Sequence, residues 1–424
     1  MPTPARLSVA RALSDVFIEG RKPRWGWDKG LSPQDARLAR AILGLCLRRW
    51  GRLGIWCAQK LKNPERGLPP QTKIHLNMGL AQLAWLPGVA PHAAVSEAVE
   101  LVSRRDIGFA AHKGLVNSIL RAASNDRKRL AAELESLSPS LDRTLIAESL
   151  LKAALRENHT LENLETLWGR LQQPPEPSFV ALWGQPPCGL IRDNRWPHPY
   201  RLMPKCPYPL DWLRLGIGMV QDISSQALML FDWDKPSSSP LRIADICAAT
   251  GGKTTSLYYR WPNSQIFAID QDSSRAKTLR ENMNARNVSA RIEVVDAVAW
   301  LANQGTPFDI ILVDAPCSGS GTIRKHPEIV WTLQEADISR LAETQAKLLD
   351  AALPKLAPGG LLIYSVCSWF PEEGVAHLQR LLQCCPNIGP AAIWPGSSHL
   401  FCPDPLAWEG EGFQGFAITK AQGG

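Results

Sequence analysis

The chain has 424 residues, which at the usual domain size of about 150 residues predicts two or three domains. Hydrophobic residues make up 45% and charged residues 21%, a globular composition that excludes the disordered and fibrous classes. The net charge of +7 is unevenly placed: residues 1–150 carry 23 Lys and Arg against 13 Asp and Glu, and the remainder 24 against 27. A basic first third points to a polyanionic partner, of which nucleic acid is the commonest soluble kind; a solvated helical surface accounts for the charge equally well. The longest apolar runs, such as 227–231 and 310–313, fall far short of the ~18 residues of a membrane span, and the N-terminus has no apolar signal core, so a cytoplasmic protein without membrane contact is expected. Ten cysteines are dispersed with no CxxC pair and no Cys/His cluster, which predicts neither a disulfide framework nor a metal site.

Residues 5–154 carry helical periodicity almost throughout. Leu38, Ala39, Ile42, Leu43, Cys46, Leu47 and Trp50 form one apolar stripe, and Ser32 before Pro33 is placed to cap it. Further stripes run through Leu76, Leu80, Leu83 and Ala84, through 95–102, and through Leu115, Val116, Ile119 and Leu120. An all-helical domain over residues 1–150 follows. Between 172 and 209 ten prolines crowd together, among them Pro174, Pro186, Pro197, Pro204 and Pro207, which disfavours a long helix or a central strand. Residues 151–235 therefore read as a linker and an extension of the next domain, with short edge strands.

From residue 241 the pattern changes. Apolar runs at 241–247, 265–269, 291–295, 308–313 and 360–366 alternate with helical stretches such as 273–286 and 334–356. Runs without polar alternation suit strands covered on both faces, so residues 236–424 are expected to form an α/β domain with a mostly parallel, doubly wound, Rossmann-like sheet. In such sheets ligands bind at the C-terminal strand ends.

The first of those ends reads Asp245-Ile-Cys-Ala-Ala-Thr-Gly-Gly-Lys-Thr254. Gly252-Lys253-Thr254 resembles the end of a phosphate-binding loop, but that pattern needs glycine at 247, where this chain has Cys247. The other reading is a nucleoside pocket, in which an acid at the end of the second strand receives the ribose hydroxyls. Asp270 closes the second run 19 residues after Gly251, Asp296 follows the third and Asp314 ends the fourth. One strand-ending aspartate is more often a turn former or a helix cap. Four after successive strands have the layout of an S-adenosylmethionine pocket.

Two cysteines sit at the same edge, Cys317 in Asp314-Ala-Pro-Cys-Ser-Gly-Ser-Gly-Thr and Cys367 in Tyr364-Ser-Val-Cys-Ser. Carbon 5 of a pyrimidine is a poor nucleophile until something adds to carbon 6, and a thiolate is the best protein group for that addition. A thiol of ordinary pKa near ~8.5 is little ionised at neutral pH, so such a site needs positive potential or a base.

With these pieces on the page, residues 217–420 resemble the RNA cytosine-C5 methyltransferases. The matching motifs are Gly218-Met-Val-Gln-Asp222, the Asp245–Thr254 loop, Asp314-Ala-Pro-Cys-Ser-Gly-Ser-Gly-Thr-Ile-Arg-Lys-His-Pro327, Tyr364-Ser-Val-Cys-Ser368, Pro371-Glu-Glu373 and Gly412-Phe413. Gly114-Leu-Val-Asn-Ser-Ile-Leu-Arg121 is similar to a helix of the NusB-like RNA-binding domain fused to the bacterial ribosomal enzymes of the Fmu/Sun type. The resemblance implies that Cys367 is the nucleophile on carbon 6, that Cys317 assists release of the enzyme, and that Asp314 contacts the pyrimidine edge. It implies that Cys247, Ala248, Ala249, Thr250, Gly251, Gly252 and Lys253, with Asp270, Asp296 and Asp314, line the S-adenosylmethionine pocket. The implied partner is RNA, small-subunit ribosomal RNA in particular, and the implied state is a monomer.

Three positions depart from the family pattern: Thr250 stands for proline, Val366 for threonine and Gly374 for asparagine. None removes an essential group. Amino-group methylation is disfavoured, because the fourth strand ends in Asp-Ala-Pro-Cys rather than an NPPY-type loop. The alternatives left open are a transfer-RNA substrate, against which the NusB-like domain weighs, and an RNA-binding or assembly factor that has lost catalysis, against which both cysteines and all four acids weigh. His326, in the loop after Cys317, reads equally as an RNA contact and as a solvated side chain.

Overall fold

Proline pre-sets the backbone torsion of a helix's first residue and leaves no unpaired amide there. Four N-terminal helices begin on one: Pro4–Phe17, Pro33–Arg48, Pro70–Trp85 and Pro91–Val102. The computed structural model describes residues 2–24, 26–158, 160–182, 186–187, 189–192, 199–202, 209–233, 240–394 and 398–422. Pro197, Pro204 and Pro207 of the predicted linker, and the predicted boundary at 235–236, lie outside these residues. The chain divides into two compact units, the first comprising Met1–Leu151, Thr160–Gln173 and Ile323–Leu333, the second Lys152–His159, Pro174–Thr322 and Gln334–Gly424.

The first unit is helical, as its periodicity predicts. Pro70–Trp85 is buried on all sides, with Ile74, Leu76, Met78, Leu80 and Leu83 in the core. Such a helix sits at the centre of its bundle. Its Gly79 admits the neighbouring helix Lys113–Ser124: a Cβ there would lie 2.5 Å from Leu120 Cδ1. Ser32 caps Pro33–Arg48 by accepting from the Asp35 amide at 3.1 Å, as expected. The stripe predicted through Trp50 is cut, because Arg49 leaves the helical region (φ −127°, ψ 21°) and a second helix, Trp50–Ala58, starts beyond it. The break lets Trp50 stack on Phe17 with ring centroids 3.6 Å apart.

Ile323–Leu333, which follows the Cys317 loop in sequence, is part of this helical unit. Trp331 Nε1 donates to the Leu47 carbonyl at 2.9 Å, the Trp331 ring meets Phe17 edge-on, and Thr144 Oγ1 donates to the Val330 carbonyl at 2.7 Å.

In the second unit, β1 (Ser178–Ala181), β2 (Leu190–Arg192), β3 (Pro199–Leu202) and β4 (Gly218–Val220) make a small antiparallel sheet in the order β2-β3-β1-β4. The sequence predicts short edge strands here; the strands are short, but β3 and β1 lie inside the sheet with partners on both sides, and β4 follows the proline-rich stretch. The large sheet contains β5 (Arg242–Ile246), β6 (Gln265–Ile269), β7 (Arg291–Glu293), β8 (Phe308–Asp314), β9 (Leu356–Val366), β10 (Ile388–Pro390), β11 (Leu400–Phe401) and β12 (Gln414–Lys420). Its order is β10-β12-β9-β8-β5-β6-β7, with β11 beside β12. β5 to β9 are parallel, and β12 pairs antiparallel with β9 and β10.

Side chains alternate between two cores. Ile243, Ile266, Ile310 and Ile363 pack on one face with Leu257 of Gly252–Arg260, while Ile246, Phe267, Ile311 and Leu362 pack on the other with Leu348 and Leu349 of Glu335–Ala352. Burial on both faces is why these strands read as unbroken apolar runs. Strand order reverses between β5 and β8, so the C-terminal ends of β5, β6, β8 and β9 share one edge at a topological switch point.

Candidate active site

The loop leaving β5 is bent by left-handed residues. Cys247 (φ 63°), Ala249 (φ 51°) and Gly251 (φ 83°) all have positive φ, a costly conformation for the first two. Gly251 is also sterically required, since a Cβ there would lie 2.5 Å from Leu279 Cδ1 and Met283 Cε. Its turn starts the helix Gly252–Arg260, whose N-cap makes no side-chain bond to the first amides. Thr250 is exposed, and its carbonyl accepts from Asn282 Nδ2 at 2.8 Å, so the turn holds without proline.

The four acids differ in their surroundings. Asp245 is fully buried inside β5; one oxygen accepts from Thr254 Oγ1 at 2.5 Å and the other, Oδ1, has no partner. Burial pushes its pKa up to about 7. Asp270, 3% exposed, accepts from the Ala249 amide at 3.0 Å and the Asp272 amide at 2.9 Å, and pairs with Arg275 at 3.0 Å. Asp314 Oδ2 lies 2.7 Å from Lys253 Nζ, and its Oδ1 accepts from Ser365 Oγ at 2.8 Å. Asp296 is exposed and caps Ala297–Ala302 through the Ala299 amide at 2.9 Å. Lys253 and Thr254 are thus each committed to a carboxylate of the sheet edge, which leaves no lysine arranged as in a phosphate loop. Lys253 Nζ also stands 5.2 Å from the Phe413 ring centroid.

Cys317 and Cys367, fifty residues apart, meet with their Sγ atoms 3.3 Å from each other. The hydrogen bond with Cys367, together with burial, holds the Cys317 pKa well above the ordinary thiol range. Burial likewise pushes Cys247 up to about 12, with the Asp314 charge adding to it.

What fixes the two sulfurs is a polar network absent from the sequence expectations. Glu373, fully buried, accepts at Oε1 from the Ser318 amide (2.8 Å) and Gln345 Nε2 (3.0 Å), and at Oε2 from Ser318 Oγ (2.5 Å) and Ser368 Oγ (2.6 Å). One carboxylate therefore ties the residue after Cys317 to the residue after Cys367. Ser320 Oγ bonds Ser368 Oγ and accepts from the Trp369 amide, and the Gly321 amide donates to the Cys367 carbonyl. Gln414 Nε2 donates to the carbonyls of Ser368 and Phe370, both at 3.0 Å. Its side chain fills the space beside Gly374, where a Cβ would come within 2.2 Å of Gln414 Oε1. Val366 is wholly buried in the apolar core, which accounts for the absent hydroxyl. The signal for these residues was present as polar side chains in apolar surroundings: Gln345 on the inner side of Glu335–Ala352, and Gln414 at the start of β12.

The donor inferred from the sequence fits this edge. An orphaned buried carboxylate oxygen on Asp245, two further acids at the ends of β6 and β8, and a glycine turn opening a helix provide acceptors for a ribose and an amino group, and amides for a carboxylate. Among the described residues, no group of three or more His, Cys, Asp or Glu is placed to hold a metal, and no helix is long and apolar enough to cross a membrane.

Comparison with known proteins agrees with this geometry. Residues 235–393 match the family model described as 16S rRNA methyltransferase RsmB/F, and residues 3–125 match that of the NusB family. The chain is 31% identical, over 98% of its own length and 98% of theirs, to proteins named ribosomal RNA small subunit methyltransferase B from Yersinia pseudotuberculosis and Yersinia pestis. Its fold is similar to the crystal structure of PH0851 (TM-score 0.71, 20% identity, 99% of this chain and 100% of that one). It is also similar to NSun6 from Pyrococcus horikoshii, solved with SFG (TM-score 0.55, 17% identity, 65% of this chain and 98% of that one). The chain belongs to the RsmB/F family of small-subunit ribosomal RNA methyltransferases and is an RNA methyltransferase that uses S-adenosylmethionine.

Proposed function

We propose that the protein methylates carbon 5 of a cytosine in small-subunit ribosomal RNA through a covalent adduct with Cys367. The observation that carries this reading is the 3.3 Å approach of the Cys317 and Cys367 sulfurs, in the loops that follow two strands whose ends are joined by the Ser365–Asp314 hydrogen bond. Neither methylation of an amino group nor RNA binding alone needs two opposed thiols at that place.

In this reading Asp314, steadied by Lys253 and Ser365, faces the pyrimidine edge and accepts from the amino group of the cytosine. Cys317 keeps its proton and donates it toward Cys367; Cys367, its own proton given up to solvent, adds as the thiolate to carbon 6, and the pair of the carbon 5–carbon 6 double bond shifts toward carbon 5. Asp270 holds the ribose of S-adenosylmethionine, the 247–253 loop its amino-acid end, and Asp296 stands at the pocket's mouth. When bound, that cofactor supplies the electrophilic methyl group. Once the Cys367 sulfur is bonded to carbon 6, the hydrogen bond that held the Cys317 proton is gone, and Cys317 can release that proton to solvent. Its thiolate then takes the carbon 5 proton, the C–H electron pair re-forms the ring double bond, and Cys367 leaves as a thiolate.

The basic helical domain, residues 1–150, brings RNA to this edge, and the protein works as a monomer in the cytoplasm. Bisulfite sequencing of ribosomal RNA from cells lacking the protein tests the reading. One small-subunit cytosine should lose its protection and regain it with the wild-type gene; an unchanged map refutes the assignment.

A further inference from the structure

The helical unit contains a groove that the chemistry above does not use. It has a volume of about 570 Å³, within the range of ligand sites, and lies between the 23–29 turn, the helix Pro33–Arg48 and the segment 325–328. Five Lys and Arg side chains line it, Arg24, Lys29, Arg40, Arg48 and Lys325, against two carboxylates. Both carboxylates are already engaged: Asp28 with Arg40 at 2.6 Å and Glu328 with His326 at 3.2 Å.

One wall is built rather than incidental. The Arg48 guanidinium lies over Gly44, where a Cβ would come within 2.5 Å of its Nη1, and its Nη2 donates to the Arg324 carbonyl at 2.5 Å. Its Nε is buried without a partner. Burial is the main cause that pushes the Arg48 pKa down to about 10, with the Arg49 and Arg324 charges adding to it and Glu328 opposing them; the positive potential of the groove comes from its five cations against two carboxylates. Arg24, Arg40, Lys325 and His326 stand exposed at the rim. An anion entering here would relieve that potential, and the low-dielectric wall strengthens the attraction. The fixed segment that bears Lys325 and His326 follows Cys317 by only eight and nine residues.

We propose that this groove holds the phosphodiester backbone of a single-stranded RNA segment flanking the target base. A recess of this size admits one strand, where a duplex would only rest on the rim, and a base presented to the cysteines has to be unstacked and splayed. The proposal rests on the reading of the protein as an RNA methyltransferase and adds where the strand is gripped.

The test uses the full-length double variant Arg24→Glu/Lys325→Glu. Its control is Lys113→Glu/Lys128→Glu, which changes the charge of exposed residues of the same unit outside the groove. Affinity for a single-stranded small-subunit ribosomal RNA fragment is measured across salt concentrations, with S-adenosylmethionine binding as the folding check. The groove variant should bind at least about tenfold more weakly, and its salt slope should be lower by about 1.4, two phosphate contacts at ~0.7 each. The control should lose less than about threefold, and both should bind the cofactor normally. Equal losses in the two variants, or none in the groove variant, overturn the proposal. If charge reversal disturbs folding, Arg24→Gln/Lys325→Gln decides, and an unchanged salt slope there overturns it as well. Groove-dependent RNA binding without carbon 5 methylation upholds the groove and refutes the cytosine reading, whereas a groove variant that binds and methylates like the wild type does the reverse. Normal binding to naked RNA with lost binding to assembling subunits would assign the groove to an acidic protein segment and overturn the RNA proposal.

Discussion

Glu373 is the residue on which the relative position of the two cysteine loops depends, and its removal has a calculable effect. In Glu373→Ala, four donors lose their acceptor, but not equally. Ser318 Oγ retains Ser368 Oγ at 3.2 Å, Ser368 Oγ retains Ser320 Oγ at 3.0 Å, and Gln345 Nε2 retains the Pro316 carbonyl at 2.9 Å. The buried Ser318 amide has no such second acceptor among the described contacts. Orphaning it costs about 1–3 kcal/mol, and the three weakened bonds and the cavity bring the total to about 3–5 kcal/mol, the range for breaking a buried polar network. Glu373→Gln keeps the volume and one acceptor oxygen. If that oxygen faces the Ser318 amide, the new amide group meets two serine hydroxyls that can turn to accept, so the loss should be about 1 kcal/mol. Because the protein has two units, the proper assay is local: hydrogen exchange of peptides spanning 315–322 and 366–374, read beside methylation rate. Glu373→Ala should lose protection in both peptides together and lose most activity, and Glu373→Gln should largely keep both. Protection unchanged in Glu373→Ala, or equal damage from the two variants, would refute the reasoning.

Three further outcomes follow from the same geometry. Asp270→Ala should weaken S-adenosylmethionine binding by about 10- to 100-fold, or about 1.5–3 kcal/mol; calorimetry showing unchanged affinity would remove Asp270 from the pocket. Folding raises the Asp245 pKa from its ordinary carboxylate value to about 7, so the native state favours its protonated form and loses stability as pH rises from about 4 through 7. Asp245→Asn should therefore gain thermal stability over the wild type at pH 8 relative to pH 5, by up to about 2.7 kcal/mol, roughly two pH units at ~1.36 kcal/mol each; an equal difference at both pH values contradicts this. Val366→Thr, which restores the family residue, buries a hydroxyl in the apolar core and should cost about 1–2 kcal/mol without raising the methylation rate, as denaturation and single-turnover assays would show.

Legibility in the sequence followed the range of the interactions. The strand runs at 265–269 and 308–313 and the helix at 273–286 match the structure within a residue, because burial on both sheet faces and 3.6-residue periodicity are local signals. The antiparallel edge of β10, β11 and β12 was not foreseen, since Ile388–Pro390 and Leu400–Phe401 are too short to carry a pattern. Asp245, Asp270 and Asp314 could be placed by counting from strand ends; Asp296, which the same counting assigns to the pocket, also caps Ala297–Ala302. The network around Glu373 could not be counted out, because Ser318, Gln345, Ser368 and Gln414 come from four separate elements. Nor does any local feature announce that 323–333 folds with the helical unit; Trp331 reads as part of one more amphipathic turn until Leu47 and Phe17 supply its partners.

The central claim concerns the division of labour between the two thiols, and adduct formation tests it most directly. Wild type, Cys317→Ala, Cys367→Ala and the double variant are incubated with small-subunit ribosomal RNA and S-adenosylmethionine, then resolved on a denaturing gel. Cys317→Ala should accumulate a slowly migrating enzyme–RNA species that it cannot resolve, Cys367→Ala and the double variant should form none, and RNA bearing 5-fluorocytidine should trap the wild type, because fluorine cannot leave as a proton does. An adduct persisting in Cys367→Ala, or no adduct in any variant while the cofactor still binds, would contradict the account.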